Sequence, residues 1–273
     1  MAGVETTLSQ ARAAGRPSLV SYVTGGIRDD WTALLDAMIG AGADAVEIGL
    51  PFSDPMLDGP VIQQASEAAI SRGTTLPGIL AELSRWHGCA PRQVPLIAMT
   101  YANHAYSRGL ERFCRELAEA GMGGTIIPDL PAQEAGQYLD TAASAGLDAT
   151  LMVTPATPPD QMLAIAGRSR GFLYVMSVMA TTGPRPQRDD AAGWATAARA
   201  LRDSPVPVLI GFGIDTPQRA AAAARHADGV IVASALMREV LDGATPDGIA
   251  RSVAALRSAI DNSAPGNSGM ARR

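Results

Sequence analysis

Eight short apolar runs, each followed by a helical pattern, repeat over about 250 residues without a break in composition. They predict an α/β fold: a single (β/α)₈ TIM barrel with an extra N-terminal helix. Strand–helix alternation alone also fits a doubly wound open sheet, because it does not show closure. The count of eight and the lack of a linker favour the barrel. One barrel domain is expected over residues 1–262, followed by a disordered polar tail at 263–273.

The N-terminal segment MAGVETTLSQARAAG is expected to form the extra helix and cover the barrel floor. SLVSYVT (18–24) opens the strands. AVEIGL (45–50), VPLIAMTY (94–101), GTIIPDL (124–130), DATLMVT (148–154), GFLYVMS (171–177), VPVLIGFGI (206–214) and GVIVASA (229–235) follow. Each is short and almost wholly apolar, as strands buried on both faces must be. Between them, Trp31, Leu34, Leu35, Met38 and Ile39 repeat with helical spacing, as do Leu76, Ile79, Leu80 and Leu83. Leu110, Phe113, Cys114, Leu117 and Ala118 form a third such stripe. Gly121 and Gly146 mark helix ends, while Ser107 and Thr216, the latter before Pro217, mark helix starts.

Composition narrows the chemistry. A net charge of −5 and the absence of a basic stripe argue against a nucleic-acid surface. No apolar run approaches the ~20 residues of a membrane span, and the N-terminus lacks a signal-peptide core. A cytoplasmic protein is the expectation. Cys89 and Cys114 lack metal-like spacing and read as buried reduced thiols. His87, His104 and His226 are far apart, so no zinc site is expected. GAGADA (40–45) fits a GxGxxA pattern but precedes a strand, so it implies no dinucleotide site. All 22 basic residues are arginine. A chain without lysine can form no Schiff base and no lysine-dependent phosphate loop. Its chemistry must use carboxylates, hydroxyls and backbone amides.

Barrel sites form at the C-terminal strand ends, which singles out Thr24, Glu47, Tyr101, Asp129, Thr154 and Ser177. Strand parity puts Glu47 on the side of Ala45 and Gly49, whose small size suggests the interior. The alternative is a structural glutamate paired with arginine, although no arginine lies near a strand's C-terminal end. Burial would raise the pKa of Glu47, as suits a group that gives and takes protons near neutrality. Asp58, in the loop that follows, is expected to have more water nearby and to stay ionised. After the seventh and eighth strands, GFGI (211–214) and GVIVASAL (229–236) run into helix starts. Their amides suit a phosphate, unless the glycines only make tight turns. TTGPRP (181–186) could add further amides or a lid. His104, in a top loop, is open to a ligand, a partner or neither.

ADAVEIGLPFSDPMLDGPVIQ (43–63) resembles the signature of the tryptophan synthase α subunit family. The resemblance spans residues 18–260 and includes MTYAN (99–103), PDLPAQE (128–134), TTG (181–183), GFGI (211–214) and ADGVIVASAL (227–236). It implies a barrel that cleaves indole-3-glycerol phosphate to indole and glyceraldehyde 3-phosphate. By this resemblance Glu47 is the general acid/base. Asp58 accepts the ring N–H and stabilises the charge that develops there. Tyr22, Tyr101 and Tyr174 contact the substrate, Tyr174 supporting the glutamate. Thr182 and Gly183 lie in a mobile loop. Gly211, Phe212, Gly213, Ala233 and Ser234 cradle the phosphate. The implied partner is a β subunit in an α₂β₂ heterotetramer, docked on Pro51, Asp54, Asn103, His104, Asp129 and Pro131. Pyridoxal phosphate is expected only in that partner, with no metal or cofactor here.

Retro-aldol cleavage normally needs a lysine imine or a metal as electron sink. Protonated indole supplies its own sink, which fits a lysine-free chain. Ala180, Thr181 and Ala233 depart from the usual family pattern, and their methyl groups are expected to alter loop closure and restrict φ in the cradle. These departures leave open a stand-alone lyase, a specialised paralogue of secondary metabolism with a different partner, or a weakly catalytic activator of a partner enzyme. A different phosphosugar barrel enzyme would not need the 47–60 string.

Overall fold

In the computed structural model, residues 3–86, 93–154, 156–176 and 190–263 are described. Eight parallel strands close into a barrel in chain order, each paired with its sequence neighbours and the first with the last. They are β1 (Ser18–Thr24), β2 (Ala45–Gly49), β3 (Leu96–Met99), β4 (Gly124–Ile126), β5 (Asp148–Val153), β6 (Leu173–Met176), β7 (Val208–Gly211) and β8 (Gly229–Val232). The sheet is therefore closed, not doubly wound.

The helices are α1 (Val4–Ala13), α2 (Trp31–Gly40), α3 (Pro60–Ser71), α4 (Leu76–Arg85), α5 (Ala102–Arg108), α6 (Leu110–Glu119), α7 (Gly136–Ser144), α8 (Pro159–Arg168), α9 (Asp190–Ala200), α10 (Pro217–Ala224), α11 (Ser234–Leu241) and α12 (Pro246–Asp261). The three apolar stripes fall on α2, α4 and α6, and their buried residues pack around the barrel. Gly121 and Gly146 follow the ends of α6 and α7 at φ 86° and 77°, a left-handed turn that glycine adopts without strain. Thr216 caps α10 by accepting from the Arg219 N–H. Ser107 does not start a helix. It lies inside α5, and the chain breaks instead at Gly109, whose φ of 81° stops α5 and opens α6.

Two apolar layers meet at the strands. Alternate residues on the outer face join the helices in one large core. The others fill the barrel: Val20, Ala45, Ile97, Ile126, Phe172, Tyr174, Leu209 and Ile231. Val4 and Leu8 of α1 enter this same cluster and are almost fully buried, so the extra helix plugs the floor. Nearby, the Asp44 carboxylate is held by Arg16 at 2.7 Å and Arg257 at 3.1 Å, and accepts the Leu19 N–H at 2.9 Å. Arginine thus ties the barrel foot together. Cys114 is buried against the core, where desolvation pushes its thiol up to about 11. Cys89 and His87 lie outside the described residues, as does the expected tail beyond Ser263.

Candidate active site

Above the apolar plug the interior turns polar. Tyr22, Glu47 and Ile97 are register partners across β1, β2 and β3. Glu47 faces inward, as its parity with Ala45 requires, and is 1% exposed. Its Oε1 has no hydrogen-bond partner, and no arginine pairs with it among the described residues. Among the described residues, then, Glu47 is not part of a structural ion pair. Burial, and then the nearby charge of Asp58, raise its pKa to about 8. At neutrality Glu47 carries a proton.

Asp58 reaches the same space from the β2–α3 loop. Turns at Asp54–Met56 and Pro55–Asp58 fold this loop back, and Pro60 opens α3 at a position where its missing N–H costs nothing. Tyr101 donates to Asp58 Oδ2 at 3.0 Å and accepts the Leu57 N–H at 3.1 Å. Phe52 stacks on the Tyr101 ring at 5.0 Å. Asp58 is half-buried rather than well solvated. Desolvation raises its pKa to about 6, against the lowering effect of the Tyr101 bond. It is ionised at neutrality, by a narrower margin than a solvated loop carboxylate would have.

Two glycines make room for two tyrosines. A Cβ on Gly49 would come within 1.8 Å of the Tyr22 hydroxyl, and one on Gly211 within 2.3 Å of the Tyr174 hydroxyl. Both tyrosines are nearly inaccessible. Burial raises both phenols well above their ordinary value; the charge of Asp58 adds to this at Tyr22, and that of Glu47 at Tyr174. All of these groups therefore sense one another across the barrel mouth. Tyr22, Asp58 and Tyr101 line one pocket there, with Leu50, Ser66 and Met99.

The late loops add a second element. Phe212 and Gly213 both take positive φ, 68° and 74°. Consecutive residues of this kind turn backbone N–H groups toward one side. Phe212 packs edge-on to Tyr174 at 5.8 Å, and Arg219 Nε donates to the Gly213 carbonyl at 2.7 Å. Ala233 precedes Ser234, the first residue of α11, whose opening amides lack acceptors within the helix. The φ of Ala233 is −116°, so its methyl group imposes no backbone strain. Ser177, Ala180, Thr181, Thr182 and Gly183 lie outside the described residues.

Around the mouth, Asp54, Asn103 and Pro131 are exposed and Pro51 is half-buried. Asp129 is exposed too, but accepts the Ala102 N–H at 2.8 Å and so caps α5. His104 is half-buried, with Nδ1 2.8 Å from Thr100 Oγ1 and its ring edge-on to Phe52 at 5.1 Å. Burial, then the Arg108 charge, lowers its pKa. The Thr154 N–H donates to Thr157 Oγ1 at 3.0 Å, and the two hydroxyl oxygens lie 3.4 Å apart. Reading by residue type passed over Phe52, Met56 and Tyr106. Met56 is 78% and Tyr106 45% exposed on this same rim. For Phe52 and Met56, large apolar residues amid prolines and aspartates were the available signal; Tyr106 has no such neighbours. Among the described residues no group of three or more His, Cys, Asp or Glu could hold a metal, and no helix is long and apolar enough to cross a membrane.

The family model described as tryptophan synthase alpha chain matches residues 8–263. A relative of that name from Geobacter sulfurreducens is 39% identical over 269 residues, covering 96% of this chain and 100% of its own. One from Halorhodospira halophila is 39% identical over 272 residues, covering 97% and 99%. Among solved structures, tryptophan synthase subunit alpha from Legionella pneumophila superposes with a TM-score of 0.84 at 30% identity, covering 96% of this chain and 100% of that one. Tryptophan synthase from Mycobacterium tuberculosis does so with a TM-score of 0.82 at 31% identity, covering 94% and 98%.

Proposed function

The chain belongs to the tryptophan synthase alpha chain family, which cleaves indole-3-glycerol phosphate to indole and glyceraldehyde 3-phosphate, and we propose that Glu47 and Asp58 divide the acid–base work of that cleavage. The chain is a lyase whose indole passes to a β subunit. The assignment of roles rests chiefly on one observation: two carboxyl groups in one barrel mouth are pushed to about 8 and about 6. At pH 7 one is an acid and the other a base.

Glu47, protonated, gives its proton to the ring carbon that bears the glycerol phosphate side chain. Asp58, ionised, accepts a hydrogen bond from the ring N–H and stabilises the positive charge that protonation creates. The side-chain hydroxyl next to the ring then loses its proton to the Glu47 carboxylate. Its oxygen becomes a carbonyl, the carbon–carbon bond breaks, and the electron pair returns to the ring. Glu47 ends as it began. Tyr101 holds Asp58 in place and Tyr174 borders Glu47. The amides of 211–213 and 233–234 receive the phosphate, with Thr182 and Gly183 in the loop that closes over it.

Residues 1–262 act as the barrel domain, in the cytoplasm. Docking uses Pro51, Asp54, Asn103, His104, Asp129 and Pro131 in an α₂β₂ assembly. Pyridoxal phosphate belongs to the β subunit, since this chain has no lysine to attach it. The deciding measurement is indole release from indole-3-glycerol phosphate, with and without a β subunit. Slow release that the β subunit accelerates supports the reading. Fast release that ignores the β subunit would mark a stand-alone lyase. No release at all sinks the assignment.

A further inference from the structure

Tyr22 enters the barrel beside Glu47 and is 4% exposed. Its hydroxyl already lies over Gly49, where even a Cβ would approach to 1.8 Å, so it stands against the β2 wall. Thr24 Oγ1 donates to the Tyr22 oxygen at 3.4 Å, a long contact. The Tyr22 O–H proton itself has no acceptor among the described residues. Its pocket is otherwise mixed, with apolar Leu50 and Met99 beside Asp58. An unspent donor in such a place discriminates between ligands. A ligand oxygen that accepts its proton is favoured, whereas a methyl group pressed on it leaves a buried polar group unpaired.

We propose that Tyr22 selects the indole ring, admitting one that carries a hydrogen-bond acceptor on the edge facing β1 and β2 and rejecting one that carries an apolar substituent there. This rests on the reading above, in which the ring lies between Glu47 and Asp58. Tyr22 is the register neighbour of the first and shares a pocket with the second. Replacing Tyr22 by phenylalanine keeps the ring and removes only the oxygen.

The test measures kcat/KM for indole-3-glycerol phosphate and for derivatives hydroxylated or methylated at each carbon of the six-membered ring. Wild type and Tyr22→Phe are compared as full-length chains. Wild type is expected to favour the hydroxylated over the methylated substrate by roughly tenfold or more at one or two ring positions. Tyr22→Phe should reduce that ratio to within about twofold. Equal ratios in the two proteins at every position overturn the proposal. If Tyr22→Phe does not fold, calorimetric affinities of wild type for hydroxyindoles and methylindoles decide. Equal affinities for every matched pair overturn the proposal, and a preference for a hydroxylated isomer upholds it. A wild type that cleaves no indole-3-glycerol phosphate defeats the functional reading, while the same affinities still judge Tyr22.

Discussion

Glu47 trades stability for chemistry. Its carboxyl ionises near 4.5 when exposed and about 8 when folded. The unfolded chain therefore loses this proton first as pH rises, and folding grows less favourable between those values. Glu47→Gln, which cannot ionise, should gain thermal stability relative to wild type as pH rises from 5 to 8, by a few kcal/mol at most. Melting curves across that range check this; parallel curves would contradict the raised pKa. The same variant should release no measurable indole, as should Asp58→Asn, with both retaining the native circular dichroism. The pH profile of kcat/KM should be bell-shaped, with limbs near 6 and 8, because cleavage needs Asp58 ionised and Glu47 protonated. Glu47 was legible in the sequence because strand parity is a strict period of two. Asp54 and Asp58 were not separable that way: no rule of spacing foretells that Tyr101, over forty residues away, bonds one and leaves the other exposed.

At the scale of elements, the β2–α3 loop and the start of α5 behave as one unit, joined by Phe52, Tyr101 and Asp58. Tyr101→Phe loses the bonds to Asp58 and to the Leu57 N–H. It should lower kcat about tenfold or more, equivalent to roughly 1–2 kcal/mol, with a smaller change in KM. Gly49→Ala and Gly211→Ala should be far more damaging than an ordinary Gly→Ala change, since each new methyl lands on a tyrosine hydroxyl. Soluble yield and melting temperature measure that. The strand interiors were readable from their apolar runs, but their ends were not. The fourth run was read to residue 130, yet β4 stops at Ile126, because strand length depends on how far neighbouring strands keep pairing. Ser107 misled in a similar way. A possible cap residue is outweighed by a glycine two positions later that can take positive φ.

The whole molecule is a closed barrel sealed at one end. Leu8, fully buried in the plug, should cost about 2–5 kcal/mol when replaced by alanine. Activity at temperatures below melting should remain, because the plug and the carboxylates lie on opposite sides of the interior layer. The count of eight was readable from the apolar runs and favoured a barrel, whereas closure itself, which alternation does not show, is seen only in the pairing of the first strand with the last. The seating of α1 inside the foot of the barrel was predictable only as a cover, since its few apolar residues show no partner by themselves. The seal also fixes the direction of traffic. With Val4 and Leu8 filling the foot, substrate and both products must use the same doorway. At that end of the barrel, Met56 stands exposed in the segment after β2 and Tyr106 on α5, which follows β3. A protein docked over that end, as proposed above, would lie across the path by which indole leaves.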